Sequence, residues 1–204
     1  MNGQAYLEST DVVDWKHPSV RALATRLAAA HTSQADIAQA CFEWVRDEIR
    51  HSLDCGSDMV TVTASDVLRE RIGWCAAQSN LLAALLRANG VPAGFCYQRL
   101  RRSHGSGYVL HGLNAVLLPG VGWYRMDARG NKPGVDARFT PPAERLAFSA
   151  TEPGECDLPE VWAEPLPQVV KCLKCSNGWK EVQRNLPDVE LIAGVYGAGR
   201  EAGH

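Results

Sequence analysis

The chain has 204 residues, enough to bury a substantial core, and a single domain is the simplest prediction. Its formal net charge of −2 at pH 7 indicates no general affinity for nucleic acid or another polyanion. Seven cysteines, an odd number at irregular spacing, fit a reducing compartment better than a disulfide framework, so a cytoplasmic location is expected.

The N-terminal segment, Met1 to Lys16, carries Glu8, Asp11 and Asp14 among scattered apolar residues. This pattern is typical of neither a signal peptide nor a transit peptide. Export is therefore not expected.

Helical patterns fill the first third of the chain. Apolar residues recur at helical spacing after Pro18, which is tolerated in a first turn, and they predict a helix to Ala30. The sequence Ser33-Gln34-Ala35-Asp36 has the form of a capping box and predicts a second helix to about Arg50. A polar loop around Cys55 to Asp58 and a short helix from Thr63 to Arg71 are predicted to follow.

The turn Gly73-Trp74-Cys75 places a cysteine at the first residues of an apolar helix that runs to Asn89. Backbone N–H groups without partners and the positive end of the helix dipole favour the thiolate there, and the thiolate is the nucleophilic form. A buried cysteine that only packs does not need a Gly-Trp turn before it. Cys75 is therefore predicted to be a catalytic nucleophile.

The helix that follows Cys75 is apolar on nearly every face, which predicts a central helix packed on several sides. It is predicted to end at Gly90, with Pro92 just beyond. Polar residues interrupt it, so no segment reaches the roughly 18 uninterrupted apolar residues of a membrane helix. No membrane partner is expected.

Extended segments replace the helical pattern after Ala93. Strands are predicted over Phe95 to Leu100, Tyr108 to Leu118 and Trp123 to Ala128. Because helices come first and strands second, an α+β fold with an antiparallel sheet is predicted rather than an alternating parallel sheet. The basic residues Arg99, Arg101 and Arg102 are most simply a solvated hairpin face, and an acidic-substrate or nucleic-acid patch is the open alternative.

The last two strands are predicted to bring a histidine and an aspartate together. A three-residue loop from Pro119 to Val121 sets the register, and Asp127 then faces Leu113 and lies diagonal to His111. The register pairs Leu118 with Gly122 and Asn114 with Met126. His111 alone could be structural and Asp127 alone could cap a turn, but with Cys75 they supply a base and its orienting carboxylate.

The other histidines are weaker candidates for the site. His17, His31 and His51 lie at helix boundaries, His104 lies in the basic loop, and His204 is the last residue.

Prolines are frequent after Gly130, and long irregular segments are predicted there, with one helix from Leu166 to Cys175. The predicted domain is 1–204, with a core at about 18–130 and a proline-rich extension, 131–204, that packs on it. The glycine-rich tail 194–200 is predicted to be loose.

Cys172 and Cys175 form the only Cys-x-x-Cys pair, without a second pair at finger-like spacing, so no metal is expected. The pair is predicted to lie on one face of the helix, where packing explains it. A redox or zinc protein that uses this pair is a remote alternative.

The stretch from about Ala35 to Gly130 resembles the transglutaminase-like superfamily of papain-fold cysteine enzymes, in particular its short, bacterial-type members. The resemblance is carried by Gly73-Trp74-Cys75, the helix Ala76 to Arg87 with Asn89-Gly90-Val91-Pro92-Ala93, His111, and Gly122-Trp123-Tyr124-Arg125-Met126-Asp127. It implies a papain-like core in which Cys75 is the nucleophile, His111 the general base and acid, and Asp127 the orienting group. No cofactor is expected.

Two positions beside these residues depart from the common pattern of the superfamily. His111-Gly112-Leu113 stands where many members have His-Ala-Trp, and Asp127-Ala128-Arg129 stands where Asp-Pro-Thr is frequent. Substrate contacts beside the triad are therefore expected to differ, and cross-linking activity is not assumed.

The predicted reaction is attack of the Cys75 thiolate on an amide carbon, with His111 protonating the leaving group. Hydrolysis of a peptide or isopeptide bond in a peptide or protein substrate is the first expectation, and amine transfer is the close alternative. An inactive peptide-binding or scaffold module is the alternative from another class. Trp74 is a candidate to line the substrate groove, and the Cys75 backbone N–H is expected to stabilise the oxyanion. The sequence identifies neither a second oxyanion donor nor the oligomeric state.

Overall fold

The structure, a computed structural model, describes residues 3–103 and 105–188. A short 3-10 helix, Gly3–Leu7, comes first. The following elements are α1 (Pro18–Ala28), α2 (Gln34–Glu48), β1 (Arg50–His51), α3 (Ser52–Cys55), α4 (Ala64–Glu70), β2 (Ile72–Gly73) and α5 (Cys75–Ala88). They are followed by β3 (Ala93–Arg101), β4 (Tyr108–Leu118), β5 (Gly122–Met126), β6 (Cys156–Asp157), α6 (Pro167–Lys174) and α7 (Trp179–Asn185).

The predicted helices begin and end where their capping residues stand. Ser33 Oγ accepts a hydrogen bond from the Asp36 N–H at the start of α2, and Thr63 Oγ1 accepts one from the Asp66 N–H at the start of α4. Gly90 ends α5 with a φ of 71°, a left-handed conformation that glycine adopts without strain. The helices predicted from these signals are confirmed.

Helix α5 forms the centre of the core, as its pattern predicts. Every residue from Cys75 to Arg87 is buried, and the helix contacts α1, α2, α4 and strands β3 and β4. Its polar side chains bind backbone carbonyls of surrounding segments: Gln78 donates to Ile49, Asn80 to Val62, and Arg87 to Ala93. These bonds pair the side-chain N–H groups and fix the segments around the helix.

The sheet is antiparallel with the strand order β5-β4-β3-β6. The predicted register of β4 and β5 is confirmed, with Leu118 opposite Gly122 and Asn114 opposite Met126. Strand β5 ends at Met126, so the predicted end at Ala128 is wrong. The chain turns there because the Asp127 carboxylate accepts a hydrogen bond from the Arg129 N–H two residues on.

Several short elements are absent from the sequence-based prediction. Strands β1 and β2 form a two-stranded parallel sheet, and α3 occupies the start of the predicted polar loop. The predicted helix near Leu166 to Cys175 is confirmed as α6, but α7 was not predicted. The stretch between Pro167 and Pro187 contains no proline, and it accommodates both helices.

Residues after 130 contribute to the main hydrophobic cluster. Their buried members are Val135, Ala137, Ala147, Leu166, Val169, Cys172, Leu173, Val182 and Leu186. Among the described residues, no helix has both the length and the apolar character needed to cross a bilayer. His104, His204 and the tail 194–200 lie outside the described residues.

Candidate active site

Cys75 is the first residue of α5, directly after β2 and Trp74. A β-carbon on Gly73 would lie 3.3 Å from Thr61 Oγ1 and 3.3 Å from Ala77 Cβ, so the turn before the cysteine favours glycine by close packing. The Cys75 side chain lines a cleft of about 520 Å³, together with Trp74, His111 and Phe148. The thiol is thus placed at a helix N-terminus and at the edge of a space that a ligand can occupy.

His111 and Asp127 meet as the hairpin register predicts. His111 Nε2 lies 2.7 Å from Asp127 Oδ2, and both side chains are buried. The Asp127 carboxylate also accepts hydrogen bonds from the backbone N–H groups of Arg129 (3.1 Å) and Ala147 (3.3 Å). The carboxylate thus has three hydrogen-bond partners and fixes the orientation of the imidazole. The other ring nitrogen, His111 Nδ1, remains available to interact with the thiol.

Strand β4 reaches the first turn of α5 because residue 112 is glycine. A β-carbon on Gly112 would lie 3.3 Å from Ala76 Cα and 3.4 Å from Ala76 Cβ. Such distances are tighter than ordinary van der Waals contact, so the absence of a side chain lets the strand backbone approach the helix backbone. This close approach places His111 beside Cys75. It also gives a local reason why residue 112 is glycine here, where many members of the superfamily have alanine.

Cys75 and His111 stabilise each other in their charged forms. Burial raises the pKa of the Cys75 thiol, but the His111 charge and hydrogen bond, with a smaller contribution from His51, lower that pKa to about 5. Burial likewise lowers the pKa of His111, but the charges of Asp127 and Cys75 raise it to about 10. The arrangement therefore favours a thiolate–imidazolium pair at neutral pH.

His51 is a site residue that the sequence analysis ranked among the weak candidates. It lies on β1, paired in parallel with β2, where its partner is Gly73. Its buried ring contacts the Trp74 ring edge-on, at 5.3 Å between centroids, and it lies within hydrogen-bonding range of Cys75. A two-residue strand gives no periodic signal, so the sequence offered no basis for placing His51 beside residues 73–75.

A partly buried ion pair supports the segment after Asp127. The Arg129 guanidinium donates two hydrogen bonds to the Asp54 carboxylate on α3, which Lys132 also contacts at 2.6 Å. Burial raises the pKa of Asp54, but the bonds from Arg129 and Lys132 outweigh it and lower the pKa to about 2. Arg129, which stands where threonine is frequent in the superfamily, thus links the turn at Asp127 to α3, the helix that directly follows His51.

Trp74 lines the cleft, as the groove hypothesis requires, and its substrate contact stays a prediction. The solvated face predicted for the arginines is wrong for two of them. Arg99 pairs with Asp188 through two contacts of 2.7 Å, while Arg102 donates to the carbonyls of Gln183 and Leu186. Both side chains find partners in the segment around α7, and the Arg101 side chain is exposed.

The Cys172 and Cys175 thiols do not pack together as one face of α6. Cys172 is buried, whereas Cys175 is exposed at the C-cap, where the helix has ended. All seven cysteines are free thiols. Within residues 3–103 and 105–188, no group of three or more His, Cys, Asp or Glu side chains is arranged to hold a metal ion.

The chain is similar to solved structures. A candidate cysteine protease from Cytophaga hutchinsonii is 20% identical with a TM-score of 0.51, and the match covers 63% of this chain and 43% of that one. The periplasmic domain of TgpA from Pseudomonas aeruginosa is 22% identical with a TM-score of 0.46, over 63% of this chain and 48% of that one. This chain therefore spans less than half the length of either structure. No curated protein matches it.

The family model of the transglutaminase-like superfamily matches residues 21–128, a range that contains Cys75, His111 and Asp127. The match covers more than half of the chain and supports a cysteine-dependent enzyme in general terms. The chain therefore belongs to the transglutaminase-like superfamily.

Proposed function

We propose that the protein is a thiol-dependent acyl-transfer enzyme that acts on amide bonds, with Cys75, His111 and Asp127 as its catalytic residues. The observation that carries the proposal is the position of the His111 imidazole, which contacts the Cys75 thiol and hydrogen-bonds to the buried Asp127 carboxylate. Nucleophile, base and orienting group are the parts that covalent acyl transfer requires.

The reaction proceeds in two halves. The Cys75 thiolate adds to the carbonyl carbon, and the carbon–nitrogen bond breaks as the His111 imidazolium gives its proton to the departing amine. The resulting thioester is cleaved when neutral His111 removes a proton from an attacking water molecule. The carboxylic acid product leaves and releases its proton to solvent, and the thiolate and imidazolium are restored.

Hydrolysis of a peptide or isopeptide bond is the proposed overall reaction. Water is present in any open cleft, and the volume of about 520 Å³ is within the range of sites that hold a small ligand or a peptide segment. An amine that replaced water in the second half would give transglutaminase-type transfer from the same thioester. Peptide or protein substrates and a cytoplasmic location remain proposals.

The first test is the pH dependence of iodoacetamide alkylation at Cys75, located by mass spectrometry in the wild-type protein and in His111→Ala. With a thiol pKa of about 5, we expect rapid alkylation at pH 6. In His111→Ala the thiol remains buried without the imidazolium, so alkylation at pH 6 is expected to fall by about two orders of magnitude. The exposed Cys175 thiol in the same molecule is the internal reference.

The proposed enzymatic function is contradicted if the Cys75 thiol reacts like Cys175 at every pH, or if it is not labelled in the folded protein. That result would favour the inactive peptide-binding module. The Cys75→Ala variant then separates the two functions. An enzyme loses its turnover in this variant while the fold stays intact, whereas a binding module has no turnover in either the wild-type protein or the variant.

A further inference from the structure

The Cys75 thiol faces two imidazoles, and the proposed reaction uses only one of them. His51 is 7% exposed and lines the same cleft as Cys75 and His111. Its pairing with Gly73 and its ring contact with Trp74 fix it against the turn that carries the nucleophile. A buried histidine at this position is therefore held in a defined orientation next to the reacting sulfur.

The two imidazoles differ in what supports them. Asp127 binds His111 directly, which prepares His111 to hold a positive charge. Among the described residues, His51 Nδ1 is buried without a hydrogen-bond partner. The Asp54 carboxylate on the adjoining helix is engaged by Arg129 and Lys132. His51 is thus not built as a second carboxylate-supported base.

The orphaned Nδ1 indicates which nitrogen of His51 donates. A buried N–H without an acceptor is costlier than a lone pair without a donor, so the neutral ring places its proton on Nε2. In the protonated ring both nitrogens carry protons. Nε2–H is therefore available as a donor in either form, and we assign the contact with Cys75 to Nε2 rather than to Nδ1.

Attack by the Cys75 sulfur creates an oxyanion two bonds away from that sulfur. A donor within hydrogen-bonding range of the sulfur in the free protein is therefore within reach of the oxyanion in the adduct. We propose that His51 is a further catalytic residue, which donates a hydrogen bond from Nε2 to the oxyanion while the Cys75 backbone N–H donates the other. This role rests on the proposed acyl transfer.

Two neighbouring donors are the alternatives to His51. Among the residues that the structure describes, Trp74 Nε1 is buried without a hydrogen-bond partner, and the Trp74→Phe variant tests it directly. The Gln78 side-chain N–H group already donates to the Ile49 carbonyl at 2.9 Å. His51 combines a position in the cleft lining with a ring within hydrogen-bonding range of the nucleophile.

The test compares two reactions of the same thiol. Acylation by p-nitrophenyl acetate forms an oxyanion and releases p-nitrophenolate, whereas alkylation by iodoacetamide displaces iodide from a saturated carbon and forms none. The ratio of the two rate constants, measured in one buffer at pH 7.5, cancels any change in the thiolate fraction. The variants are His51→Phe, which keeps a ring against Trp74, and His51→Gln, which restores an N–H donor.

We expect the acylation-to-alkylation ratio to fall about 100-fold in His51→Phe and to recover in part in His51→Gln, because loss of one oxyanion donor costs roughly that factor. His31→Gln, a change at an exposed histidine, is the matched control and should keep the wild-type ratio. An unchanged ratio in His51→Phe, or a fall in Trp74→Phe in its place, overturns the role of His51. A wild-type protein that is neither acylated nor alkylated rapidly overturns the proposed function itself.

Discussion

Gly112 on β4 lies directly against Ala76 on α5, so that a β-carbon on the glycine would come within 3.3 Å of the Ala76 Cα atom. The neighbours of these two residues are His111 and Cys75, the proposed base and nucleophile. The contact between two backbones therefore sets the distance between two catalytic groups. A side chain introduced at position 112 is therefore expected to change that distance.

The Gly112→Val variant should separate His111 from Cys75. The added atoms meet the helix backbone, which cannot move aside as a flexible side chain would, so β4 must shift away from α5. We expect alkylation of Cys75 at pH 6 to slow by at least about tenfold, since a weaker ion pair raises the thiol pKa. Gly3→Ala, where no atom lies within 4 Å, is the control, and a wild-type alkylation profile in Gly112→Val would contradict the argument.

The Asp127→Asn variant should remove the charge that supports the His111 imidazolium. The pKa of His111 is expected to fall and that of Cys75 to rise, because each charged group stabilises the other. The ion pair of the wild-type protein persists between about pH 5 and about pH 10, and this window should narrow from both ends in the variant. We expect acylation by p-nitrophenyl acetate near neutral pH to fall about a thousandfold. A variant whose pH profile matches that of the wild type would show that Asp127 has no electrostatic role.

The Arg129→Met variant should destabilise the fold around the site. The arginine side chain is only 5% exposed and the Asp54 carboxylate is partly buried, so removal of one partner leaves a charge with less support. We expect a loss of about 2 kcal/mol in the free energy of unfolding in urea at neutral pH, at the low side of the range for a buried pair because Asp54 is 31% exposed. Arg138→Met, at an exposed pair with Asp136, should cause no measurable loss.

The pH dependence of this loss follows from the lowered pKa of Asp54. The folded-state pKa is about 2 against an ordinary value of 3.8, so the pair stabilises the protein fully above about pH 4. The stabilisation decreases as the pH falls through 2. The difference between the wild type and Arg129→Met should therefore be constant from pH 5 to 7 and shrink below pH 4, and a difference that grew with acid would be inconsistent with it.

The Arg102→Gln variant should loosen the segment around α7. The guanidinium donates to the carbonyls of Gln183 at 2.6 Å and Leu186 at 3.0 Å, and these groups lie where α7 ends. We expect faster amide hydrogen exchange over residues 182–187, measured by mass spectrometry. Arg101→Gln changes the adjacent, exposed arginine and is the matched control. Equal exchange in the two variants would rule out a specific tether by Arg102.

The parts of the site that follow from local rules could be predicted from the sequence. Side chains alternate along a strand, so a three-residue loop fixed the register that brings His111 to Asp127. The cysteine at the start of α5 followed from the Gly-Trp turn and the apolar helix after it. Each prediction needed only neighbours in sequence or the length of one loop.

The parts that depend on distant contacts could not be predicted. His51 reaches Cys75 through two parallel strands of two residues each, and a pairing that short leaves no pattern. Arg99 on β3 and Arg102 just after this strand have partners beyond residue 182, in a segment whose helix α7 was not predicted. Ion pairs between distant segments depend on the packed core, which a single sequence does not display.

The loop Pro119 to Val121 lies beside Gly90 and Pro92, at the far end of α5 from Cys75. Fourteen helical residues, about 20 Å, separate it from the thiol. One residue added to this loop would shift β5 by one position and turn Asp127 to the opposite face of the sheet, away from His111. The length of an outlying turn, whatever its composition, is therefore as strict a requirement for the proposed chemistry as the identity of the catalytic side chains.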